Sequence, residues 1–561
     1  MLLKLVLAFL SVCAISSQIL PPTTIRRVRP GPTINTPVGP IQGQEETYDL
    51  FRRMYTFKGI RYAQAPIGNL RFRQGVPPPP FQQTFQAWDY GSRCPQFSLL
   101  LERYEGDEDC LFLNIATPTN IRSRLPVVVL IHGGGLVMGH GEMGLLGPEH
   151  IVHENVIYVS FNYRLNVLGF MNTGDRNSPG NFGFKDMIMA LQWVRNNIES
   201  FGGNPNDVTI LGGSGGAVAV QALVVTPVAA GLFHKAIAQS GSLFNNWAFN
   251  RNPISLVQML VSNLELQVTD NVDLMNQLRE VSPERLLRNA GILTDRNPRL
   301  FEELSFVASV DAVDSLEPRI FTAPISDLVR TGNINQVPFM IGFNSFESLY
   351  AVTDIANDAT ILERLNQNPH LLVPSEWNLT PGSAEAAQVI NVFRQLYFNG
   401  SPVITNEMAL GFAEYVSDRE FIFGVSKMAR LHLTRQPIYY FRFSFSGALN
   451  LAKRGLGLMD IPGAMHGDDI FYLMRLNRAA TPVLPSDEAY TIQRRYVRMW
   501  TNFMKYSTPT PTTIDPLIRV IWPPMTSNTE FMEIGQDLTV DSEPFNVRMR
   551  TWELFDQLFN P

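Results

Sequence analysis

The chain has 561 residues, 45% of them hydrophobic and 17% charged, with a formal net charge of −6. This is the composition of a globular protein with a large core, and its acidity excludes a general nucleic-acid surface. No block of like charge stands out; Arg26, Arg27 and Arg29 read as a small solvated basic group.

Met1 to Ser17 carries one lysine, an apolar run of Leu, Val, Ala and Phe, and then small residues. This pattern predicts a secretory signal peptide over residues 1–17, because a membrane span needs roughly 20 apolar residues. No second long apolar stretch appears, and Glu553 to Pro561 offers no hydrophobic tail. A soluble, exported product without a membrane anchor is expected. Cys13 leaves with the signal, so Cys94 and Cys110 remain. A disulfide closing a loop of about 15 residues is one reading of that pair, and two buried thiols the other. Asn378-Leu379-Thr380 and Asn399-Gly400-Ser401 are glycosylation sequons, each followed by a proline.

Residues 18–35 are expected to be an extended N-terminal segment, within a Pro-, Thr- and Arg-rich stretch from Pro21 to Pro40. Pro66 to Pro80 reads as an irregular surface layer. Regular structure is expected from Leu125, where Leu125 to Ile131 and then Val156 to Ser160 are short, β-branched apolar runs. Such runs fit strands buried on both faces of a parallel sheet. Met187, Leu191, Val194 and Ile198 share one face of a helix over Lys185 to Ser200. Val208 to Leu211, Lys235 to Gln239, Phe339 to Phe343, Pro437 to Phe443 and Glu530 to Ile534 read as further strands. Leu256 to Ala323 and Ser345 to Leu433 read as helical insertions. The alternation predicts one large α/β domain over residues 36–561, a doubly wound and mostly parallel sheet flanked by helices.

The chemistry gathers at strand ends. Leu211-Gly212-Gly213-Ser214-Gly215-Gly216-Ala217 joins a strand to a helix through a turn tight enough to strain and expose a serine hydroxyl. His132-Gly133-Gly134-Gly135 ends an earlier strand, and glycines there let backbone N–H groups converge on one point. Gly134, Gly135 and Gly215 are the expected oxyanion donors. A serine nucleophile needs a base and an orienting acid. His466, in Gly463-Ala464-Met465-His466-Gly467-Asp468-Asp469, is the expected base. Glu347, just past the strand ending at Phe343, is the expected acid, at the edge where α/β sheets bind ligands. No second histidine lies at metal-ligand spacing from His466, so no metal or other cofactor is expected.

Taken together, these segments resemble the type-B carboxylesterase, cholinesterase-like family of α/β-hydrolases, from about Thr36 to the C-terminus. Phe57-Lys58-Gly59-Ile60-Arg61-Tyr62-Ala63, Leu70-Arg71-Phe72, Glu108 to Asn114, Asn162-Tyr163-Arg164, Gly180-Asn181 and Trp522-Pro523-Pro524 carry the resemblance too. It implies an α/β-hydrolase fold, a Ser214, Glu347, His466 triad, a Cys94–Cys110 disulfide and an Arg71–Glu108 ion pair. It also implies a small-molecule ester as substrate, hydrolysed through an acyl-enzyme.

Two departures stand out. The family usually has Glu or Gln before the serine and Ala after it; here both positions are glycine, Gly213 and Gly215. No tryptophan lies between Cys94 and Cys110 to stack on a quaternary ammonium. Both point to neutral, apolar esters rather than choline esters. The alternative is a catalytically weak adhesion or matrix protein, similar to neuroligin- or glutactin-type members, with an extracellular protein partner.

Overall fold

The computed structural model describes residues 27–47, 52–98, 103–121, 124–144, 146–291, 306–332, 334–433, 435–476, 483–511 and 514–560. The expected signal peptide and Cys13 lie outside the described residues.

A 13-stranded sheet organises the chain. Its strands are β1 (Arg27–Thr36), β2 (Gly39–Thr47), β3 (Arg53–Arg61), β4 (Phe112–Pro118), β5 (Leu125–Ile131), β6 (Ile157–Phe161), β7 (Gly203–Gly213), β8 (Lys235–Gln239), β9 (Phe339–Asn344), β10 (Ile438–Phe443), β11 (Glu530–Ile534) and β12 (Leu538–Ser542). Phe85–Gln86 adds a short edge pairing to β2. The spatial order is β1-β2-β3-β4-β6-β5-β7-β8-β9-β10-β11-β12. From β6 to β11 every pairing is parallel, and the two flanks are antiparallel. This is the α/β-hydrolase architecture.

The parallel centre is where the apolar runs placed it. β6, β8 and β9 are buried along their whole length. A strand exposes alternate side chains to opposite faces, so each central strand feeds two cores. Val127, Val129 and Ile131 join one core with helices α1 (Phe182–Asn197) and α2 (Gly215–Val225). Val128 and Leu211 join the other.

Three further helices matter for the site. α3 (Ala409–Ser417) and α4 (Phe423–His432) are joined through a π-helical turn, Asp418–Ile422. α5 (Glu488–Tyr506) covers the second core with Tyr496, Trp500 and Phe503.

Regular structure begins well before Leu125, contrary to the sequence expectation. β1 to β4 form an antiparallel flank, and β1 occupies the described part, from Arg27, of the segment expected to be merely extended. Its sequence, RVRPGPTINT, is largely polar because most of the strand faces solvent. It is held by pairing to β2 rather than by an apolar run. The hairpin strand β12 escapes the same criterion, with a single buried residue, Leu538. Both expected insertions contain helices, but the described residues 306–323 of the first are irregular and bridge Ala308 to Phe249. Pro253–Asn263, Asn271–Glu280 and Pro283–Asn289 lie in the first, and Ala351–Asn357, Thr360–Gln367 and Ala384–Tyr397 lie in the second.

Candidate active site

The register aligns the strand ends that carry the expected site. Ile131 pairs with Gly212, Gly213 with Gln239, Gln239 with Gly342, and Gly342 with Phe441. The loops after β5, β7, β9 and β10 therefore open on one edge of the sheet.

Ser214 sits between β7 and α2 at φ 57° and ψ −125°. That conformation is strained for a residue with a side chain. Backbone bonds on both sides hold it. Ser214 N–H donates to the Gln239 carbonyl at 2.8 Å, and the Ser214 carbonyl accepts from Ala217 N–H at 2.9 Å. Glycines make the turn possible: a Cβ on Gly212 would lie 2.2 Å from the Gly216 carbonyl oxygen, and one on Gly216 2.2 Å from that of Ile131.

The two glycines beside Ser214 differ. A Cβ on Gly213 would meet only the Gln239 oxygen, at 3.8 Å, an ordinary contact. A Cβ on Gly215 would lie 2.6 Å from the Gly135 nitrogen. The His132 loop thus closes on the elbow more tightly than an alanine at 215 would permit.

That loop is shaped from beneath. The His132 ring stacks on Tyr163 at 4.2 Å, and the Tyr163 hydroxyl donates to the His132 carbonyl at 2.9 Å. Burial pushes the His132 pKa down to about 3, so the ring is neutral. Gly134 and Gly135 have φ of 110° and 61°. Gly134 could not become alanine in place, because the Cβ would lie 2.2 Å from the Met138 oxygen. Among the described residues, no acceptor takes the N–H groups of Gly134, Gly135 or Gly215. Three undonated amides border the serine turn.

On the other side, His466 Nδ1 and Glu347 Oε2 are 2.6 Å apart, and His466 N–H donates to the Glu347 carbonyl at 3.0 Å. Glu347 is fully buried, and its second oxygen accepts the Asn344 N–H at 2.7 Å. The Phe421 ring packs on the imidazole at 4.5 Å.

A network absent from the sequence expectations joins the two sides. Asp469 accepts from Asn344 Nδ2 at 3.0 Å, from Gln239 Nε2 at 2.5 Å and from the Tyr496 hydroxyl at 3.0 Å. Asn344 also holds Glu347, and Gln239 also holds the Ser214 backbone. One carboxyl therefore ties the acid's turn to the serine's. Burial pushes the Asp469 carboxyl pKa up, and its hydrogen bonds oppose that. The acidic doublet after His466 was a visible signal, but nothing in the sequence gave its partners.

Cys94 and Cys110 are disulfide-bonded, which sets aside the two-thiol reading. Arg71 pairs with Glu108 and also donates to the Leu278, Arg279 and Val281 carbonyls, tying the N-terminal flank to the end of helix Asn271–Glu280. Asn378 and Asn399 are exposed, with φ of 50° and 52°. Among the described residues, no helix is long and apolar enough to cross a membrane.

The chain is similar to known proteins over nearly its whole length. The carboxylesterase family model matches residues 30–552. Juvenile hormone esterase of Tribolium castaneum is 31% identical over 86% of this chain and 84% of its own length. Venom carboxylesterase-6 of Apis mellifera is also 31% identical, over 84% of this chain and 85% of its own. The crystal structure of juvenile hormone esterase from Manduca sexta, with OTFP covalently attached, superposes with a TM-score of 0.81 at 28% identity, covering 94% of this chain and 100% of that one. The chain belongs to the carboxylesterase family and is a serine carboxylesterase.

Proposed function

We propose that the protein is a secreted carboxylic ester hydrolase acting on neutral, largely apolar esters through a Ser214, His466, Glu347 triad. Ser214 Oγ attacks the ester carbonyl while His466 takes its proton. Glu347, 2.6 Å from the far ring nitrogen, orients the imidazole and stabilises the imidazolium. The N–H groups of Gly134, Gly135 and Gly215 stabilise the oxyanion. The imidazolium returns its proton to the leaving alcohol. Water then attacks the acyl-enzyme with His466 again as base, releasing the acid and restoring Ser214.

The observation that carries this reading is the set of three undonated amides beside a strained serine, at the same sheet edge as a buried His–Glu pair. The preference for neutral esters is supported by Gly213, which puts no carboxylate beside the serine. The juvenile hormone esterases among the relatives support an apolar ester. Export is supported by the N-terminal sequence, and the exposed Asn378 and Asn399 are the proposed glycan sites.

Turnover of short- and medium-chain p-nitrophenyl esters, compared with Ser214→Ala, tests the proposal. The variant should lose roughly 10⁶ in kcat and should not be labelled by an organophosphate. If wild type and variant are equally inert and neither is labelled, the triad is wrong and the adhesion alternative replaces it.

A further inference from the structure

One buried cation close to the triad has no role in the mechanism above. Lys453 lies in a short helical turn, Leu451–Gly455, within the long connection from β10 to His466, and it is fully buried. Its ammonium donates to the Gly463 carbonyl at 2.8 Å, to the Ser446 hydroxyl at 2.9 Å and to the Ile461 carbonyl. Two of those three acceptors belong to the stretch that leads into His466. Burying a charge is costly, and here all three ammonium protons are met by neutral oxygens.

The loop that carries the base needs such holds. Gly463 and Gly467, on either side of His466, have φ of 93° and 79°. Glycine has no side chain to restrict the backbone at these joints, so contacts from outside must fix the imidazole between them. One set comes from the acid's own turn. Ala464 N–H donates to Ser345 Oγ at 3.0 Å, Phe346 N–H to the Ala464 carbonyl at 2.9 Å, and His466 N–H to the Glu347 carbonyl at 3.0 Å. The second set comes from the connection after β10. Lys453 takes the Ile461 and Gly463 carbonyls ahead of the imidazole, and Asp468 accepts the N–H of its immediate neighbour Met465 at 2.8 Å.

Lys453 and Asp468 form one clamp. Asp468, also buried, accepts the Lys453 backbone N–H at 3.3 Å and Asn450 Nδ2 at 3.1 Å. Asn450 Oδ1 in turn accepts from Gly447 N–H and from the Tyr472 hydroxyl, each at 2.8 Å. Burial disfavours the charged form of both Lys453 and Asp468, and their mutual attraction opposes that. Every hydrogen bond of the ammonium nevertheless goes to the loop or to Ser446, so the cation grips backbone rather than its counter-charge.

We propose that Lys453, braced by Asp468, is a positioning residue for the triad: by holding the Ile461 and Gly463 carbonyls it sets the reach of His466 towards Ser214 and Glu347. This rests on the proposed Ser214, His466, Glu347 reading. The ammonium bonds to no reacting atom and acts through the base. A methionine at 453 would fill a similar volume with no proton to donate. The Gly463 joint would then be released on one side while the contacts to the acid's turn remain. Misplacing a reacting group by about 1 Å can cost about 10²-fold in rate, even when the substitution lies away from the chemistry.

The test is a double-mutant cycle in the full chain, read on p-nitrophenyl esters. Lys453→Met should lower kcat by roughly 10- to 100-fold with KM within about 3-fold of wild type. His466→Ala keeps only the catalysis that the oxyanion donors and binding supply, about 10³–10⁴ over water. Adding Lys453→Met to it should change that remainder by less than about 2-fold, because the group it positions is gone. Equal losses on both backgrounds would show a general structural role and overturn the proposal. So would an unchanged kcat in Lys453→Met, or a loss carried by KM. Where Lys453→Met does not fold by circular dichroism, Asp468→Asn takes its place in the same cycle. Its amide keeps the shape of the carboxylate but gives up one acceptor. A kcat loss of roughly 10-fold that vanishes on the His466→Ala background is expected, and any other result overturns the clamp. A wild type that turns over no ester and takes no organophosphate label sinks the triad reading itself, a different outcome.

Discussion

The two sides of the site are built from different materials. The serine side is backbone: glycines at 133 to 135, 212, 213, 215 and 216, amides without acceptors, and a strained φ at Ser214. The imidazole side is side chain: Glu347, Asn344, Asp469, Gln239 and Tyr496 linked at 2.5–3.0 Å. The first should fail when atoms are added, because a Cβ strikes neighbouring backbone. The second should fail when atoms are removed, because each donor there has a named acceptor. Under the proposed mechanism, transition-state charge is met by fixed dipoles on one side and by a buried carboxylate on the other.

The sharpest break on the side-chain half is Glu347→Gln. The amide keeps the shape but not the charge, and it presents a donor or the wrong tautomer partner to His466. A loss of about 10⁴ in kcat is expected, read in steady-state turnover with the fold checked by circular dichroism. On the backbone half, the matched pair Gly215→Ala and Gly213→Ala separates space from sequence. At 215 the new methyl would sit 2.6 Å from the Gly135 nitrogen, so the His132 loop must retreat and one oxyanion donor moves out of line. A kcat loss of about 10²-fold is expected there. At 213 the nearest atom is 3.8 Å away, and activity should stay near wild type. Equal effects at the two positions would mean that the elbow senses glycine itself and not the approach of the loop.

The same division explains what could be read from the sequence. Glycine clusters after apolar strands are local patterns, so the His132 loop and the Ser214 turn were visible in order and in type. Glu347 and His466 were reachable because each follows a strand or sits between glycines. Asp469 was not assigned. Its partners Asn344, Gln239 and Tyr496 come from three separate segments, and only the parallel register of β8 and β9, with Gln239 beside Gly342, brings the first two to the same sheet edge. β1 to β4 were missed for a related reason. β1 is largely exposed, and β2 to β4 bury polar residues such as Glu46, Asn114 and Thr117 among their apolar ones, so none shows a continuous apolar run.

Asp469→Ala probes that nonlocal link. It would leave the Asn344 amide, the Gln239 amide and the Tyr496 hydroxyl competing for other acceptors. A loss of about 3 kcal/mol in unfolding free energy is expected from the denaturant midpoint, together with a lower kcat at unchanged KM. A stability loss with kcat intact would mean that Asp469 braces the sheet edge without positioning the triad.

The smallest effect is the most specific to this chain. Glu420 is raised from the ordinary 4.5 to about 7 by burial. Between those values the folded chain holds a proton that the unfolded chain has released. The unfolded state therefore binds fewer protons, and unfolding free energy falls as pH rises through that window, levelling off above it. Glu420→Gln carries no such proton. The stability difference, variant minus wild type, should rise from pH 5 to pH 8, because every other titrating group cancels in the subtraction. A flat difference across that range would mean that the carboxyl is already ionised and stabilised at pH 5.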